Sequence, residues 1–307
     1  MLITGGAGFL GSHLALRLFK EHAEVVVLDD LSTGIKNSER PRCHRFIEDD
    51  VSTLNLFEVL KDFDIDYVFH FGSPSSVILF NRNPEGCMSK TIFGFRNVME
   101  YARRKGVSKV IYPSSGSVYG DAPIPQSEAS LPKPTNLYGI SKLACEHLAR
   151  LYMEKVPSIG LRIFAGYGPG EEAKGEIASV VTLFMEAMIE NRSPTIYGDG
   201  EQSRDFVYID DIISAALRGA EAGYTGVVNV GLGKSYTFND VAELINKVLD
   251  KNVEPIYVDK PAKYLERTLA DRMKQNEILG INPTTLEVGA SELAEYLLNK
   301  TDNCQRV

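Results

Sequence analysis

The chain has 307 residues, of which 44% are hydrophobic and 24% charged, a composition typical of a soluble globular protein with one large or two closely joined domains. Its formal net charge of −8 argues against a surface for nucleic acid or anionic membranes, although it leaves room for a local basic pocket that binds a phosphorylated small molecule.

The four cysteines form no close pair and the five histidines no ligand cluster, so we expect reduced thiols, a cytoplasmic location and no bound metal. We expect no membrane span either, because no apolar run reaches about 18 residues.

Short apolar segments alternate with helical patterns through the first two-thirds of the chain. The predicted strands are residues 2–4, 25–28, 45–47, 67–71, 107–112 and 159–164. The predicted helices among them are residues 12–22, 84–105 and 138–155. Apolar strands separated by helices predict an α/β fold of the Rossmann type, a doubly wound parallel sheet with helices on both faces.

The pattern changes after Gly166, where a glycine-rich turn begins. Residues 177–190, 211–222 and 239–249 are predicted helices, residues 204–208, 226–230 and 253–258 are predicted strands, and two more helices are expected near 271–279 and 286–299. We predict an NAD-binding domain over residues 1–165, to which residues 206–235 return. Residues 166–205 and 236–307 would form a smaller C-terminal α/β lobe that binds the substrate.

A glycine loop connects the first predicted strand to the first predicted helix. Gly5, Gly8 and Gly11 are spaced as in a dinucleotide-binding fingerprint, and the strand and the helix supply the context that this motif requires. Glycine lets the backbone approach a pyrophosphate closely, and the helix N-terminus adds N–H donors. The alternative is an ordinary structural turn.

An acidic pair, Asp29 and Asp30, follows the second predicted strand, roughly twenty residues beyond the loop, where the fingerprint places a ribose-binding carboxylate. A carboxylate there accepts hydrogen bonds from ribose hydroxyls and repels a 2′-phosphate, and no arginine lies beside it. The sequence therefore favours NAD over NADP.

Tyr138 and Lys142 lie one helical turn apart on a predicted helix. A free tyrosine has a pKa of about 10, which a nearby ammonium group lowers, so this pair is suited to proton transfer. The same spacing occurs at residues 101–105 and 296–300, where packed tyrosines and solvated lysines are the simpler interpretation. Tyr138 differs because it follows a proline-rich extension and a serine cluster at residues 114–117, which ends the fifth strand.

With these motifs the sequence resembles the extended short-chain dehydrogenase/reductases, and within them the NAD-dependent epimerase and dehydratase group. The resemblance rests on residues 4–11, 29–34, 50–51, 114–120, 138–142, 162–170, 204–211 and 270–271. It implies NAD as cofactor and a nucleotide sugar, most simply a UDP-hexose, as substrate. It also implies a homodimer formed through residues 84–105 and 138–155.

The resemblance implies a role for individual residues. Tyr138 would be the catalytic base, Lys142 would bind the nicotinamide ribose and adjust Tyr138, and Ser115 would hold the reacting hydroxyl. The implied cofactor-binding residues are Gly5, Gly8, Phe9, Leu10, Gly11, Asp29, Asp30, Ser32, Thr33, Gly34, Asp50, Val51, Phe71, Gly72, Ser73, Tyr138 and Lys142. The implied substrate-binding residues are Ser115, Ala165, Tyr197, Arg204, Lys260 and Arg267.

Two departures from the group bear on the reaction. Gly116 and Ser117 stand where the 4,6-dehydratases carry Asp-Glu, and neither can act as a general acid, which favours 4-epimerisation through a transient 4-keto sugar. Ala165 replaces an asparagine that usually contacts the substrate diphosphate. UDP-glucose and UDP-galactose are the first expectation, and the small Thr268 leaves UDP-GlcNAc open. A decarboxylase, a reductase with exchangeable cofactor and a non-catalytic nucleotide-binding protein are the alternatives.

Overall fold

A parallel seven-stranded sheet forms the centre of the protein. The structure is a computed structural model that describes residues 1–32, 40–260 and 264–305, with side chains as far as residue 300. The strands of the central sheet are β1 (Leu2–Thr4), β2 (Val26–Asp29), β3 (Arg45–Glu48), β4 (Tyr67–His70), β5 (Lys109–Ser115), β6 (Ser158–Ile163) and β10 (Gly226–Val230). Their order across the sheet is β10-β6-β5-β4-β1-β2-β3. This is the doubly wound arrangement that the alternating pattern predicts, and that prediction is confirmed.

The remaining strands and the helices complete the described part of the chain. The other strands are β7 (Ala165–Tyr167), β8 (Thr195–Tyr197), β9 (Ser203–Tyr208), β11 (Ser235–Thr237) and β12 (Ile256–Val258). The α-helices are α1 (Phe9–Lys20), α2 (Leu56–Val59), α3 (Val77–Arg82), α4 (Pro84–Lys105), α5 (Leu137–Tyr152), α6 (Val180–Ile189), α7 (Ile209–Glu221), α8 (Phe238–Leu249), α9 (Met273–Ile278) and α10 (Leu286–Gln305). Two short 3-10 helices span Gly116–Tyr119 and Glu171–Ile177.

Successive side chains of each central strand point to opposite faces of the sheet, because a strand has a period of two residues. In β1, Leu2 packs into the core under α4 and α5, whereas Ile3 packs into the core that α1 and α7 cover. Val26 and Val27 of β2 divide in the same way. Both faces are apolar for this reason, which explains why these strands read as continuous hydrophobic runs.

Helix α1 begins at Phe9, directly after Gly8, rather than near residue 12 as the sequence pattern suggests. Gly11 therefore lies inside the helix, where a Cβ atom would stand 2.1 Å from the carbonyl oxygen of Gly5. The glycine that looked like the end of a turn is a contact point between the helix and the loop before it. This early start aims the helix N-terminus at the loop.

Two small sheets lie outside the central one. Strands β11, β9 and β7 form the first, and β12 pairs with β8 in the second. The sequence pattern missed β7, β8 and β11, because three residues are too few to show a periodicity. The boundaries of the two predicted domains stay a prediction. Among the described residues, no helix has both the length and the apolar character needed to cross a bilayer.

Candidate active site

A deep cavity opens at the carboxyl ends of β1, β4 and β5, where the strand order reverses and doubly wound proteins bind their ligands. Its volume is about 440 Å³, within the range of small-molecule sites. The glycine loop and the loops after β2 and β3 line one end, the start of α5 lines the middle, and residues from the C-terminal part of the chain line the other end.

The glycine loop is shaped for close approach by a ligand. Gly5 has a φ of +68°, and a Cβ atom added there would lie 2.5 Å from the backbone nitrogen of Gly72. Gly8 precedes α1 with extended backbone and makes no side-chain cap, so the first N–H groups of the helix face the cavity region without a competing side chain. The loop thus satisfies the steric and electrostatic requirements of a pyrophosphate.

Asp29 ends β2 and connects the glycine loop to the next loop. Its carboxylate accepts hydrogen bonds from the backbone N–H groups of Ala7, at 2.9 Å, and Leu31, at 2.8 Å. Burial raises the pKa of this carboxyl, while the two N–H groups and nearby Lys90 act to lower it. The side chain is therefore fixed at the cavity wall, where a ribose would meet it.

Ser115, Tyr138 and Lys142 come together in the middle of the cavity wall. Ser115 ends β5, and the other two residues occupy the first turns of α5, which begins after Asn136 caps Gly139. Lys142 donates a hydrogen bond to the hydroxyl of Ser73 at 2.8 Å, and its Nζ atom lies 5.7 Å from the ring centre of Tyr138. The structure thus assembles the three residues that the sequence assigns to catalysis.

The pKa of Tyr138 is raised, because burial of the phenol outweighs a hydrogen bond with Ser115 that lowers it. The sequence pattern predicted that the charge of Lys142, together with that of the nicotinamide ring, would lower this pKa. In the structure the ammonium group of Lys142 donates a hydrogen bond to Ser73, and the phenol of Tyr138 is buried, which residue spacing cannot predict. The residues of the chain therefore do not by themselves favour the phenolate.

Lys142 and His70 are both buried. Burial lowers the pKa of Lys142 to about 8 and that of His70 to about 3, and the lysine charge adds to the second effect. His70 is thus neutral at physiological pH, and its Nδ1 atom shares a hydrogen bond of 2.7 Å with the hydroxyl of Thr4. Thr4 in turn accepts a hydrogen bond from the backbone N–H of Gly72 at 3.2 Å, which couples the glycine loop to the loop after β4.

A buried ion pair supports α5, and the sequence pattern did not predict it. Glu146 lies one turn beyond Lys142 on α5 and accepts two hydrogen bonds from Arg162 of β6, at 2.8 and 2.7 Å. It also accepts a hydrogen bond from Ser114 of β5 at 2.5 Å. A glutamate two turns after the tyrosine was the available signal, but its partners lie on strands and cannot be read from spacing.

At the other end of the cavity, Arg204 of β9 provides a cation. Its Nη1 atom donates to the carbonyl oxygens of Ser203, at 2.9 Å, and Glu266, at 3.2 Å. Its guanidinium carbon lies 5.5 Å from the ring centre of Phe238 and 5.4 Å from that of Tyr264, and burial lowers the pKa of Arg204. These contacts orient the charge towards the cavity, which suits an anionic group.

The other predicted substrate residues divide into two groups. Ala165 lines the cavity, as Arg204 and Ser115 do. Tyr197, Lys260 and Arg267 lie outside the set of described residues that line it. Lys260 pairs with Glu266 at 2.5 Å, and the ring of Tyr197 lies 6.0 Å from that of Tyr264. Their role in substrate binding stays a prediction.

The predicted cofactor residues within the described part of the chain all line the cavity. These are Gly5, Gly8, Phe9, Leu10, Gly11, Asp29, Asp30, Ser32, Asp50, Val51, Phe71, Gly72, Ser73, Tyr138 and Lys142. Thr33 and Gly34 lie outside the described residues. The same cavity also contains Lys90 and Lys174, two cations that the sequence analysis did not single out. Among the described residues, no group of three or more His, Cys, Asp or Glu side chains is placed to hold a metal ion.

Comparisons with known proteins agree with this geometry. A family model described as the NAD dependent epimerase/dehydratase family matches residues 1–231. A putative UDP-glucose 4-epimerase of Methanocaldococcus jannaschii is 33% identical over 304 residues, which cover 97% of this chain and 98% of that protein. The crystal structure of a UDP-glucose 4-epimerase from Thermotoga maritima with UDP-glucose has a TM-score of 0.92 and 31% identity, and the match covers 98% of this chain and 99% of that one.

A second solved structure is similar to the same degree. It is a UDP-N-acetylglucosamine 4-epimerase from Methanobrevibacter ruminantium in complex with UDP-N-acetylmuramic acid, with a TM-score of 0.90, 31% identity, and coverage of 97% of this chain and 98% of that one. The fold and the site thus define an enzyme that uses a dinucleotide cofactor. The chain belongs to the NAD-dependent epimerase/dehydratase family, a family of nucleotide-sugar enzymes, and its cofactor is NAD.

Proposed function

We propose that this protein is a nucleotide-sugar 4-epimerase that interconverts UDP-glucose and UDP-galactose. The observation that carries the proposal is the meeting of Ser115, Tyr138 and Lys142 on one wall of the cavity, followed by Gly116 and Ser117, which offer no general acid for an elimination. The intact trio also disfavours a purely binding role.

The residues of the chain perform the proton transfer and the positioning. Ser115 and Tyr138, which share a hydrogen bond, would both contact the 4-hydroxyl of the sugar, so that Tyr138 takes its proton and later returns it. Lys142, held by Ser73, keeps a cation near the phenol, and together with the positive charge of bound NAD it would favour the phenolate. When bound, NAD supplies the hydride acceptor and donor and a positive charge beside Tyr138. Because the overall cycle is redox-neutral, the cofactor can stay bound throughout.

Epimerisation requires that the oxidised sugar present both of its faces in turn. Arg204 would hold the diphosphate at the far end of the cavity while the sugar turns over. Ala165 has a shorter side chain than the asparagine common at this position, which leaves the sugar more space and the diphosphate one hydrogen-bond donor fewer. We expect Arg204 to carry more of the binding for this reason.

An N-acetylated UDP-hexose is the second candidate substrate. Thr268 lines the cavity, and its hydroxyl accepts a hydrogen bond from the backbone N–H of Asp205 at 3.2 Å. This contact fixes a small side chain where bulk would obstruct an N-acetyl group. Together with Ala165, it gives a pocket that accommodates UDP-GlcNAc and UDP-GalNAc on steric grounds.

Proton NMR of four separate mixtures tests the proposal and separates the candidates. The purified protein is incubated without added NAD with UDP-glucose, UDP-galactose, UDP-GlcNAc or UDP-glucuronate. We expect the C4 epimer to appear with the first two sugars. Epimerisation of UDP-GlcNAc alone would support the second candidate, and release of carbon dioxide from UDP-glucuronate would identify a decarboxylase. If no sugar reacts even with NAD added, the epimerase proposal fails for these substrates.

We also propose that the protein is a cytoplasmic homodimer, joined through α4 and α5. The two helices pack against each other, and their outer faces expose large apolar side chains: Phe93 of α4 is 48% exposed, and Ile140 and Leu151 of α5 are 42% and 81% exposed. Pairing of two copies through this surface would bury it in a four-helix arrangement. Light scattering at micromolar concentration is expected to give twice the mass of one chain, and a monomer would contradict the assignment.

A further inference from the structure

Two loops at the adenosine end of the cavity share the same local structure. In each, an aspartate precedes a serine by two residues, Asp30 with Ser32 after β2 and Asp50 with Ser52 after β3. One carboxylate oxygen of Asp30 accepts hydrogen bonds from the backbone N–H of Ser32, at 3.0 Å, and from its hydroxyl, at 2.6 Å. The corresponding distances between Asp50 and Ser52 are 2.8 and 2.6 Å. Each loop therefore fixes its own carboxylate and leaves the second oxygen free for another contact.

Lys90 of α4 occupies the space between these two free oxygens. Its Nζ atom donates a hydrogen bond to Oδ2 of Asp30 and lies 3.3 Å from Oδ2 of Asp50. The three side chains are partly exposed and all line the cavity. One cation from a helix that crosses from β4 to β5 thus connects the loops that follow β2 and β3.

Lys90 also compensates negative charge at this end of the cavity. Asp29, Asp30, Asp49 and Asp50 bring four carboxylates to the end of the cavity that would receive the adenosine half of an anionic dinucleotide. Without a cation between them, the carboxylates of Asp30 and Asp50 would repel each other and the ligand. Hydrogen bonds with Asp30 raise the pKa of Lys90 above its ordinary value, so the ammonium group stays charged.

We propose that Lys90 is a positioning residue that holds the two adenosine-binding loops together and thereby sets the affinity for NAD. The inference rests on the use of NAD and does not depend on which sugar the enzyme converts. Lys90 acts through Asp30 and Asp50, and because both carboxylates engage it, it is not a ligand for a 2′-phosphate. The preference for NAD over NADP then follows from the acidic loops together with a lysine whose charge they already use.

Binding measurements on the whole protein test this role. Isothermal titration calorimetry with NAD, NADP and UDP, on protein from which retained NAD has been removed, compares the wild type with Lys90→Met and Lys90→Arg. We expect Lys90→Met to raise the Kd for NAD by about five- to tenfold, the size expected when partly exposed charge contacts that preorganise a site are lost. The Kd for UDP, which binds at the other end of the cavity, should change less than about twofold, and Lys90→Arg should restore most of the NAD affinity because it retains the charge.

Two further variants test whether the loss of NAD affinity comes from the contact between Lys90 and Asp30 or from the loss of any lysine charge. Lys61 forms an exposed pair with Glu58 at 3.2 Å, so Lys61→Met is the matched control and should leave both Kd values unchanged. The double variant Lys90→Met/Asp30→Asn should bind NAD no more weakly than Lys90→Met alone, because the second change removes a partner that has already lost its contact and also removes the repulsion between the two unbridged carboxylates.

Three results would overturn the proposal. An unchanged Kd for NAD in a folded Lys90→Met protein would show that the bridge is irrelevant to the cofactor. An equal loss of affinity for NAD and for UDP would mean that the substitution disturbs the whole cavity and not only the adenosine end. A larger loss for NADP than for NAD would identify Lys90 as a phosphate ligand. None of these measurements depends on turnover, so failure of the epimerase assignment and failure of this inference give different results.

Discussion

Replacement of Tyr138 by phenylalanine is expected to lower kcat for sugar epimerisation by about a thousandfold, the usual contribution of a positioned acid–base group. The variant keeps the ring, which packs 5.7 Å from that of Phe80, and loses only the hydroxyl that shares a hydrogen bond with Ser115. The Kd for UDP should therefore change less than about twofold. Proton NMR of the epimerisation and calorimetry with UDP measure the two quantities.

The chain contains a matched control for this experiment. Tyr101 and Lys105 have the same spacing, and Tyr101 is 1% exposed with a hydroxyl that meets no hydrogen-bond partner among the described residues. Tyr101→Phe should therefore keep full activity. Retained turnover in Tyr138→Phe would rule out Tyr138 as the proton carrier, whereas loss of UDP binding in that variant would mean that the change damaged the cavity.

Replacement of Glu146 by leucine is expected to lower the free energy of unfolding by about 3–5 kcal/mol, the cost of leaving one partner of a buried ion pair without the other. Arg162 would lose both hydrogen bonds to the carboxylate, and its remaining Nη1 atom already lacks a partner among the described residues. Ser114 would lose its acceptor as well. Urea unfolding followed by circular dichroism measures the change.

Two companion variants show whether the pair or the position matters. Glu146→Leu/Arg162→Met removes both charges and should recover much of the loss, because no uncompensated charge stays buried. Glu243 pairs with Lys247 at 2.6 Å on the surface, with both side chains 69% exposed, so Glu243→Gln should cost no more than about 0.5 kcal/mol. If the single and double variants at 146 and 162 are equally unstable, the pair has no special role and the cost comes from packing.

The ion pair also connects stability to catalysis. Glu146 fixes α5 to β5 and β6, and the first turns of the same helix carry Tyr138 and Lys142. Ser115, the third residue of the proposed catalytic trio, ends β5 directly after Ser114. One buried network therefore holds the two segments that must meet for proton transfer, which is the support that a positioned acid–base group requires.

The locally encoded parts of this protein could be predicted from its sequence. The glycine loop, the acidic end of β2 and the Tyr138–Lys142 pair each depend on residues within one turn or one strand–helix unit, so spacing and residue type are enough to identify them. The central sheet was predictable for the same reason, since strands buried on both faces are continuously apolar. Family membership then followed from several such motifs in order, and the comparisons confirm it.

The contacts between distant groups depend on the tertiary structure and could not be predicted. Lys90 reaches Asp30 and Asp50 from another element, and Glu146 finds Arg162 and Ser114 on two strands. Sequence spacing carries no information about such pairs, because crossover connections bring them together. The sequence also could not predict that the pKa of Tyr138 is raised. Burial opposes the phenolate, and the depth of a pocket is a property of the whole fold.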